Sequence, residues 1–405
     1  MSELMPYDAV TDLDTLGPAE SLMAYRHRGG YDALTQVLVM TPEEVIEAVE
    51  SGGLVGHGGA GYPTASKWRA VRSRSGPRYL VVNAAEGEPG SYKDRQLLGR
   101  APHQVLEGIL IAARAIDASE ILVYVNDQFA EVQTSLKQAL GELVSSEFRS
   151  AMTSPIRLVL ETHVYIAGEE TALLNVLMGR PAVPWPKPPY PTEEGYYGHP
   201  TVVNNVETLA HVPVILRRGG DWYRENRPTL FSVTGDVKRP GVYELPLGIG
   251  LRELIDRAGG PAPGQEVQAV LPGGYSMPWL TDEKLGVRLD PESLRALGSG
   301  LGASVIVIGS VRSLGAVAHQ IAVFLARESC GTCPICVTGT ARLARALAPA
   351  LSRPLGADEA EAIVRLGAEH RHRGICALLD QAAHMALTGT EALVTNPTRQ
   401  GAVSA

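Results

Sequence analysis

The sequence predicts three successive regions, namely a parallel α/β domain, a small α+β domain and a C-terminal helical bundle. Three observations lead to this fold class. Apolar segments that suit buried strands alternate with amphipathic helices between residues 79 and 160. Short strands on either side of a Lys-Arg-Pro-Gly turn follow from residue 230. Beyond residue 311 the apolar residues recur at helical spacing.

The first region, residues 1–228, is expected to combine an N-terminal segment with a parallel sheet. Thr41, Pro42 and Glu44 are typical of a capped helix start. Alternation of strand and helix then predicts right-handed crossovers, and ligands of such sheets bind beyond the carboxyl ends of the strands. We therefore expect the loops after Val82 and Leu160 to carry function. The predicted strands are residues 79–82, 121–125 and 156–160, and the predicted helices are residues 31–38, 41–50, 103–116 and 129–143.

The second region, residues 229–310, reads as a hairpin, a short helix and further strands. Gly259 and Gly260 end the helix. This order is typical of a small domain of β-grasp type, for which a docking or spacer role is favoured over catalysis. The predicted strands are residues 230–234, 242–245, 267–271 and 305–308, and the helix is residues 251–258.

The third region, residues 311–394, is predicted to be a small helical bundle whose ends hold the cysteines of the chain. The expected helices are residues 314–325, 340–347, 358–369 and 376–387. The last residues, 395–405, are expected to be a disordered tail.

All four cysteines fall in one pattern, with Cys330, Cys333 and Cys336 close together and Cys376 forty residues later. Three thiolates at that spacing can bind three irons of a cuboid cluster while a distant thiolate takes the fourth, which favours [4Fe–4S]. Structural zinc is the alternative, although its cysteines usually come as two separate pairs. Unrelated thiols are the remaining reading. A [4Fe–4S] cluster would mean that the protein moves electrons.

Composition excludes several classes of protein. The net charge of −8 does not indicate nucleic-acid binding. No run of eighteen apolar residues occurs, so no membrane span is expected. The acidic N-terminus lacks the apolar core of a signal peptide, which predicts a cytoplasmic protein with reduced thiols.

Two loops of the first region combine glycine with charge. Residues 56–68, GHGGAGYPTASKW, allow backbone N–H groups to approach a phosphate, and Lys67 can supply a counter-charge. A flexible turn is the alternative. Residues 83–95, NAAEGEPGSYKDR, follow the first strand directly, and their amide and carboxylates suit ribityl or ribose hydroxyls or a carboxamide. A solvated acidic turn is the alternative there.

Two further segments of the first region carry paired polar residues. Glu169 and Glu170 follow the third strand, where they either bind a ligand or merely begin a helix. Asn204 and Asn205 can hydrogen-bond a flavin ring or cap the next helix. Because all these loops fall on the expected binding edge of one sheet, a shared ligand site is favoured over four unrelated turns.

With these motifs in this order, the chain resembles the 51 kDa flavoprotein subunit of complex I, the NADH:quinone oxidoreductase. The same family includes the diaphorase subunits of NAD-linked hydrogenases and formate dehydrogenases. The resemblance covers residues 30–393, about nine-tenths of the chain. It is carried by GHGGAGYPT with the following KW, NAAEGEPGSYKDR, YIAGEETAL, PTVVNNVETL, ESCGTCPIC and the GICAL segment around Cys376.

The resemblance implies a Rossmann-like flavin domain, a ubiquitin-like β-grasp domain and a helical bundle with one [4Fe–4S] cluster. It implies an NADH dehydrogenase in which hydride passes from nicotinamide C4 to flavin N5 of FMN, and single electrons pass to the cluster. The cofactors carry this chemistry, so no catalytic side chain is expected. The implied partners are a thioredoxin-like [2Fe–2S] subunit and a larger iron–sulfur or catalytic subunit, in the cytoplasm or peripheral to a membrane complex.

The family's functional residues transfer to matching positions of this sequence. The residues implied to bind FMN are Gly56, Gly58, Lys67, Asn83, Glu86, Gly168, Glu169, Asn204, Asn205 and Thr208. Those implied to bind NADH are Gly59, Gly61, Tyr62, Glu88, Glu170 and Tyr190, of which the two tyrosines would stack on the adenine side. The implied iron ligands are Cys330, Cys333, Cys336 and Cys376.

Three positions depart from the family pattern. The family usually has arginine, aspartate and phenylalanine where this chain has His57, Ala85 and Ala70. These changes are expected to weaken an anion contact and make it pH-dependent, to remove an acceptor at the flavin and to remove an aromatic platform. Two alternatives to NADH oxidation therefore stand: a flavin and cluster protein with another donor, and a flavin-free relay or structural paralogue.

Overall fold

The computed structural model describes residues 19–161, 164–302 and 304–394, and the predicted tail at 395–405 lies outside them. The described residues form two compact units. The first holds the residues up to Gly87, Ser91–Ser232 and Gly241–Leu247. The second holds Glu88–Gly90, Val233–Pro240 and the residues from Gly248 onward.

The centre of the first unit is a parallel sheet of four strands in the order β3-β2-β1-β4. The strands are β1 (Tyr79–Ala84), β2 (Glu120–Asn126), β3 (Ile156–Glu161) and β4 (Thr201–Asn205). The predicted parallel sheet is thereby confirmed. Strand β4 is missed by the sequence analysis, because only Val202 and Val203 are apolar before two asparagines.

Helices surround this sheet. They are α1 (Leu22–His27), α2 (Asp32–Val37), α3 (Pro42–Ser51), α4 (Thr64–Arg72), α5 (Lys93–Arg100), α6 (Pro102–Ile116), α7 (Ala130–Val144), α8 (Glu170–Leu177), α9 (Val206–Arg218) and α10 (Gly220–Asn226). The predicted cap of α3 is present: the Glu44 N–H donates to Thr41 Oγ1 (3.3 Å), and the Thr41 N–H donates to Glu44 Oε2 (2.7 Å).

Both faces of the sheet are apolar, which explains the nearly continuous apolar runs of its strands. Leu80 and Val82 of β1 are fully buried in the core that includes most of α6. Val81, between them, faces the opposite way and packs with Leu173 and Leu174 of α8. Successive residues of one strand thus enter two separate cores, and only the ends of the strands are left for a site.

The remaining strands and helices fall mostly in the second unit. Strand β5 (Pro228–Gly235) begins in the first unit, where its sheet neighbour is β6 (Gly241–Pro246). In the second unit the order continues from β5 through β9 (Ser304–Gly309) and β7 (Val267–Leu271) to β8 (Leu280–Thr281). The helices are α11 (Leu251–Arg257), α12 (Pro291–Ala296), α13 (Leu314–Arg327), α14 (Pro334–Leu347), α15 (Ala357–His370) and α16 (Leu378–Gly389).

Two helix boundaries near the cysteines differ from the sequence prediction. Helix α14 begins at Pro334 rather than Thr340, because proline suits the first position of a helix and Cys333 is its extended cap. Cys336 therefore lies in the first turn of α14. Helix α16 begins at Leu378, so Cys376 precedes the helix instead of opening it. No helix among the described residues combines the length and apolarity that a bilayer crossing requires.

Helices α6 and α9 approach so closely at Gly108 that a Cβ atom built there would lie 1.9 Å from the carbonyl oxygen of Leu209. We expect Gly108→Ala to lower the free energy of unfolding by about 1–3 kcal/mol, since the backbones must separate. Gly141→Ala is the matched control, because Gly141 is an exposed glycine of α7 with nothing within 4 Å. It should raise stability by up to about 1 kcal/mol. Equal urea midpoints for both variants would contradict the close approach.

Candidate functional site

The polar ends of the strands meet at one edge of the parallel sheet, as predicted. Asn83 of β1 pairs in register with Asn205 of β4. The Asn83 amide Nδ2 donates to the carbonyl oxygen of Gly168 (2.9 Å), in the 3₁₀ turn Tyr165–Gly168 that follows β3. Segments that lie more than eighty residues apart in the chain are thus joined at the carboxyl edge of the sheet.

The glycine loop, residues 56–63, stands at this edge. Its ends are closed by the Gly56 N–H, which donates to the Tyr62 carbonyl (2.9 Å). The His57 N–H donates to Thr208 Oγ1 (2.9 Å) at the start of α9. Gly59 and Gly61 have φ of 113° and 62°, and a Cβ on either would meet no atom within 4 Å. At these two positions the loop therefore presents its backbone toward open space.

Helix α4 contributes Lys67 and Trp68 to the site. Lys67 Nζ lies 3.2 Å from Glu170 Oε2 and 3.2 Å from the carbonyl oxygen of Val203. Trp68 Nε1 donates to Asn204 Oδ1 (2.8 Å). The ammonium thus stands between β4 and the start of α8.

Two consecutive carboxylates begin α8. Glu169 Oε2 accepts from the backbone N–H groups of Thr171 (2.8 Å) and Ala172 (3.0 Å), so Glu169 caps the helix. Burial favours the neutral acid of Glu170, but Lys67 and Lys187 hold its pKa below the usual range. Glu170 is therefore an anion at neutral pH.

Sequence reasoning missed Lys187. Its Nζ lies 2.9 Å from Glu169 Oε1 and 3.0 Å from Glu170 Oε1. Burial opposes its charge, yet the two carboxylates raise its pKa. The signal available in the sequence was a lysine within the proline-rich segment 184–191 of a chain that also carries two adjacent glutamates.

Two tyrosines of the predicted NADH set are unusually exposed for aromatic side chains. Tyr62 in the glycine loop is 55% exposed, and Tyr190 in the proline-rich segment is 52% exposed. Exposed aromatic faces are what a stacked base requires.

Glu86 is committed to the protein itself. Its Oε1 accepts from the Asp94 N–H (2.9 Å), and its Oε2 accepts from the Arg95 N–H and from Arg95 Nε (both 3.0 Å). Burial and the neighbouring Asp94 raise the pKa of Glu86. These contacts make Glu86 a cap for α5.

Asn205 and Thr208 are also engaged by the protein. Asn205 caps α9, because its Oδ1 accepts from the Glu207 N–H (3.0 Å), and its Nδ2 donates to Asp94 Oδ2 (2.6 Å). Thr208 Oγ1 accepts from the His57 N–H as described above. These side chains order the backbone around the site.

Glu207, adjacent to these residues and missed by the sequence analysis, is almost fully buried. Its Oε2 lies 2.8 Å from Lys93 Nζ, its Oε1 accepts from the Leu230 N–H (2.8 Å), and His57 Nδ1 lies 3.1 Å from Oε1. Burial opposes ionisation, but Lys93 and His57 hold the pKa of Glu207 well below its usual range. In the sequence, the available signal for Glu207 was its place in the NNVETL motif.

The departures from the family pattern lie in different surroundings. Ala85 is fully buried in the apolar core with Leu122 and Tyr124, and Ala70 lies in α4. The side chain of His57 turns toward Glu207. In this chain the anion nearest to position 57 is therefore a carboxylate of the protein.

Glu88 belongs to the second unit. Its Oε1 accepts from the N–H groups of Tyr275 (2.6 Å) and Ser276 (3.2 Å) in the 3₁₀ turn Gly274–Ser276. A Cβ atom at position 274 would lie 2.5 Å from the same oxygen, so the turn that binds the Glu88 carboxylate requires glycine there.

The four cysteines all lie in the second unit and form no disulfide. Burial raises the pKa of the Cys336 thiol, and the neighbouring Cys333 and Cys330 act in the same direction. Gly331 has φ of 80°, a conformation that lets the loop turn between Cys330 and Cys333.

The residues present fit the two groups that the motifs imply. Four cysteines free of disulfides are the donor set of a [4Fe–4S] cluster. The glycine loop and Gly168, where a Cβ would also meet no atom within 4 Å, leave room for a phosphorylated cofactor to approach backbone N–H groups. The ammonium of Lys67 lies among the same segments.

Comparison with protein families identifies three matching regions. Residues 49–214 match the "Nuo51 FMN-binding domain", and residues 316–393 match the "NADH-ubiquinone oxidoreductase-F iron-sulfur binding region". Residues 230–278 match the "SLBB domain".

Individual proteins are similar over most of the chain. An F subunit of the NADH-quinone oxidoreductase of Rhizobium meliloti, the one numbered 2, is 43% identical over 334 residues, which cover 78% of this chain and 79% of the relative. The corresponding F subunit of Mycobacterium tuberculosis is 44% identical, with 78% of this chain and 75% of the relative covered. That of Rickettsia felis is 37% identical, with 90% of each chain covered.

A solved structure has the same fold. A chain of the NAD⁺-reducing [NiFe]-hydrogenase in its H₂-reduced state superposes with a TM-score of 0.82 at 33% identity. The match covers 97% of this chain and 67% of the hydrogenase chain.

Removing the ammonium from the buried Lys93–Glu207 pair tests the electrostatics of the site. We expect Lys93→Met to lower the free energy of unfolding by about 3–5 kcal/mol at pH 7, because Glu207 is left buried without its cation. The difference in unfolding free energy between wild type and variant should narrow below a pH of about 4.3, the usual pKa of glutamate. The low pKa of Glu207 stabilises the wild type only above that pH. The Lys93→Met/Glu207→Gln double variant should recover much of the loss. A K93M protein as stable as wild type across pH 4–7 in urea unfolding would contradict this assignment.

Proposed function

Because this chain belongs to the family of NADH-quinone oxidoreductase F subunits, we propose that it is the electron-input flavoprotein of an oxidoreductase complex. It is an NADH dehydrogenase subunit with an FMN-binding domain and a [4Fe–4S] region. The family, the activity and the two cofactors expected from the motifs are thereby confirmed. The alternatives with another donor or without flavin have no observation in their favour beyond the substitutions already described.

The observation that carries the proposed FMN site is the meeting of the glycine loop, Asn83, Gly168 and Asn205 at one edge of the sheet. FMN, when bound, accepts a hydride and releases electrons singly. The backbone N–H of Gly58 and the ammonium of Lys67 suit its phosphate. The proposed FMN set is Gly56, Gly58, Lys67, Asn83, Glu86, Gly168, Glu169, Asn204, Asn205 and Thr208.

Within this set the side chains have two kinds of role. Glu86, Glu169, Asn205 and Thr208 accept or donate hydrogen bonds within the protein, so they orient backbone rather than bind through free side chains. Lys67 and Asn83 are also hydrogen-bonded within the protein, to Glu170 and to the Gly168 carbonyl oxygen, but we propose that these two side chains meet the cofactor directly. An ordered backbone with few mobile side chains holds a flavin ring in one orientation, which hydride transfer requires.

The proposed NADH set is Gly59, Gly61, Tyr62, Glu88, Glu170 and Tyr190. Tyr62 and Tyr190 offer exposed faces to an adenine ring. Ionised Glu170 can accept hydrogen bonds from ribose hydroxyls. Its two ion-pair partners, Lys67 and Lys187, would then interact with the ligand as well as with the Glu170 carboxylate. Because Lys187 neutralises the glutamate pair, it is suited to admit an anionic nucleotide that two free carboxylates would repel.

The second unit is proposed to carry electrons onward through a cluster held by Cys330, Cys333, Cys336 and Cys376. The domain plan proposed is residues 1–228 for the flavin domain, 229–310 for a β-grasp domain and 311–394 for a helical bundle. The "SLBB domain" match at 230–278 supports the middle assignment, and helices α13 to α16 support the last.

The partners are proposed from the relatives, which are a subunit of NADH-quinone oxidoreductase and a chain of a NAD⁺-reducing hydrogenase. The single four-cysteine pattern of the sequence supports the proposal that electrons leave through another protein. The proposed neighbours are a thioredoxin-like [2Fe–2S] subunit and a larger iron–sulfur or catalytic subunit. We propose a cytoplasmic location, free or peripheral to a membrane complex.

Anaerobic titration of the full chain with NADH tests the proposed function. We expect NADH to bleach the flavin band near ~450 nm, followed by reduction of the cluster seen by electron paramagnetic resonance. FMN that resists NADH but is bleached by dithionite would mean a different donor. A chain that holds no FMN after reconstitution would leave only the relay or structural alternative.

Truncation of one exposed tyrosine tests the proposed nucleotide contact. We expect Tyr190→Ala to weaken NADH binding by about 0.5–1.5 kcal/mol, roughly 2- to 10-fold in Kd, through loss of stacking. Tyr197→Ala is the matched control, since Tyr197 is also exposed but its ring packs on Tyr196, at 4.6 Å between centroids. Isothermal titration of both variants measures the difference. Equal NADH affinities of the two variants would mean that Tyr190 does not contact NADH.

A further inference from the structure

Glu86, in the loop between β1 and α5, has a backbone conformation that few residues other than glycine adopt. Among the described residues proposed to bind FMN, it is the one non-glycine residue with positive φ, at 37°. Such a conformation is unfavourable by itself, so it persists only where the surrounding structure imposes it, and it is common at functional sites. Contacts around Glu86 must therefore hold the loop in this state.

Helix capping does not by itself require this conformation. Glu169 caps α8 and Asn205 caps α9 from extended backbone, with φ of −74° and −71°. Glu86 reaches the first turn of α5 from the preceding loop, where its carboxylate accepts from the backbone N–H groups of Asp94 and Arg95. A capping role alone therefore leaves the left-handed backbone of Glu86 unexplained.

The side chain and the backbone of Glu86 lie in different surroundings. The side chain is only 2% exposed, whereas the residue as a whole is half-buried, so the atoms that reach the surface belong to its backbone. The adjacent Ala85 N–H donates to Asn83 Oδ1 (3.2 Å), and Asn83 Nδ2 donates to the Gly168 carbonyl oxygen (2.9 Å). The exposed backbone of Glu86 thus continues the carboxyl edge of the parallel sheet.

The guanidinium of Arg95 fixes the buried carboxylate. Arg95 Nε donates to Glu86 Oε2 (3.0 Å), and Arg95 Nη2 donates to the Ser91 carbonyl oxygen (2.6 Å). The same guanidinium lies over two aromatic rings, with its Cζ 4.4 Å from the ring centroid of Tyr92 and 4.4 Å from that of Phe129. Phe129 immediately precedes α7 and packs against the main core of the first unit. The guanidinium is therefore stacked on rings and bonded at its edge, which leaves it little freedom to move.

We propose that Arg95 is a positioning residue for FMN: it holds the Glu86 carboxylate, and thereby keeps the exposed backbone of Glu86 and Gly87 in the conformation that meets the cofactor. This inference rests on the proposed function, because it takes the carboxyl edge of the sheet to be the FMN site. Arg95 acts through Glu86 and not by touching FMN. A loop held in its binding conformation avoids the loss of affinity that follows when this conformation is only fractionally populated.

The first test removes the guanidinium and keeps a long apolar side chain, as Arg95→Met. FMN is titrated into the full chain, with its cluster intact and its flavin removed, and binding is followed by quenching of flavin fluorescence. We expect Kd to rise roughly tenfold, the result if about a tenth of the molecules keep the binding conformation. Arg157→Met is the matched control and should leave Kd unchanged. Arg157 also pairs with a glutamate of the first unit, Glu120 (2.9 Å), but near the amino ends of β2 and β3.

A double variant separates positioning from a general loosening of the fold. Glycine adopts positive φ without strain and offers no carboxylate to Arg95. Glu86→Gly should therefore bind FMN more weakly than wild type, and adding Arg95→Met to it should change Kd by less than about twofold. The two effects are not additive because the first substitution removes the group through which Arg95 acts. A tenfold effect of Arg95→Met in both backgrounds would overturn the inference.

A milder variant tests the aromatic support of Arg95. Phe129→Leu keeps the ion pair between Arg95 and Glu86 and removes one of the two rings. We expect Kd for FMN to rise roughly two- to fivefold, which corresponds to the loss of one cation–π contact. The visible circular dichroism of bound FMN should change in band shape in both Arg95→Met and Phe129→Leu, since the cofactor meets a less ordered loop. Unchanged spectra and affinities in both variants would contradict the proposed role.

Hydrogen exchange in the FMN-free protein reports on the loop without any cofactor. In Arg95→Met the backbone N–H groups of residues 94 and 95, which donate to Glu86, should lose protection, while those of β2 keep theirs. Wild-type exchange together with a wild-type Kd in Arg95→Met would overturn the inference and leave the FMN site intact. A wild-type chain that binds no FMN would instead overturn the proposed function, and this inference with it.

Discussion

One buried carboxylate, Glu207, ties together the parts of the first unit that make the site. It receives hydrogen bonds or charge from α5 through Lys93, from the start of β5 through Leu230, and from the glycine loop through His57. An ion this deeply buried is tolerated only when both oxygens have partners, so each of these elements must be in place for the others to be stable. The protein's own side chains therefore hold these parts of the candidate site together.

This internal order explains why several predicted ligand residues contact the protein instead of open space. Glu86 caps α5, Glu169 caps α8 and Asn205 caps α9. Each cap lies at the carboxyl edge of the sheet, where helix N-termini also point. Because the carboxylates of Glu86 and Glu169 occupy the N-termini of α5 and α8, the groups left to favour a phosphate are the glycine backbone and the ammonium of Lys67.

The two cofactor regions place different demands on the chain. The proposed iron ligands are four thiols, three of them within seven residues, so a short loop with Gly331 and Pro334 suffices for those three. The proposed flavin site takes groups from the glycine loop, β1, the turn after β3 and β4, which come together only when the parallel sheet forms. In the flavin region, a substitution such as His57 can therefore be accommodated by a new contact partner within the protein. A lost cysteine, in contrast, cannot be replaced by another residue of the chain.

The sequence by itself determined the parallel α/β domain, the cysteine pattern and the loops of the site, because periodicity, turn residues and ligand types are local properties. It did not reveal β4, whose two valines give too short a signal, nor the first turn of α14 around Cys336. Only the tertiary structure decided that Lys187 joins Glu169 and Glu170, that Glu88 sits on the Tyr275 backbone, and that His57 faces Glu207. These pairs are 17 to 187 residues apart in the chain. Their meeting depends on strand order and helix packing, which no local pattern encodes.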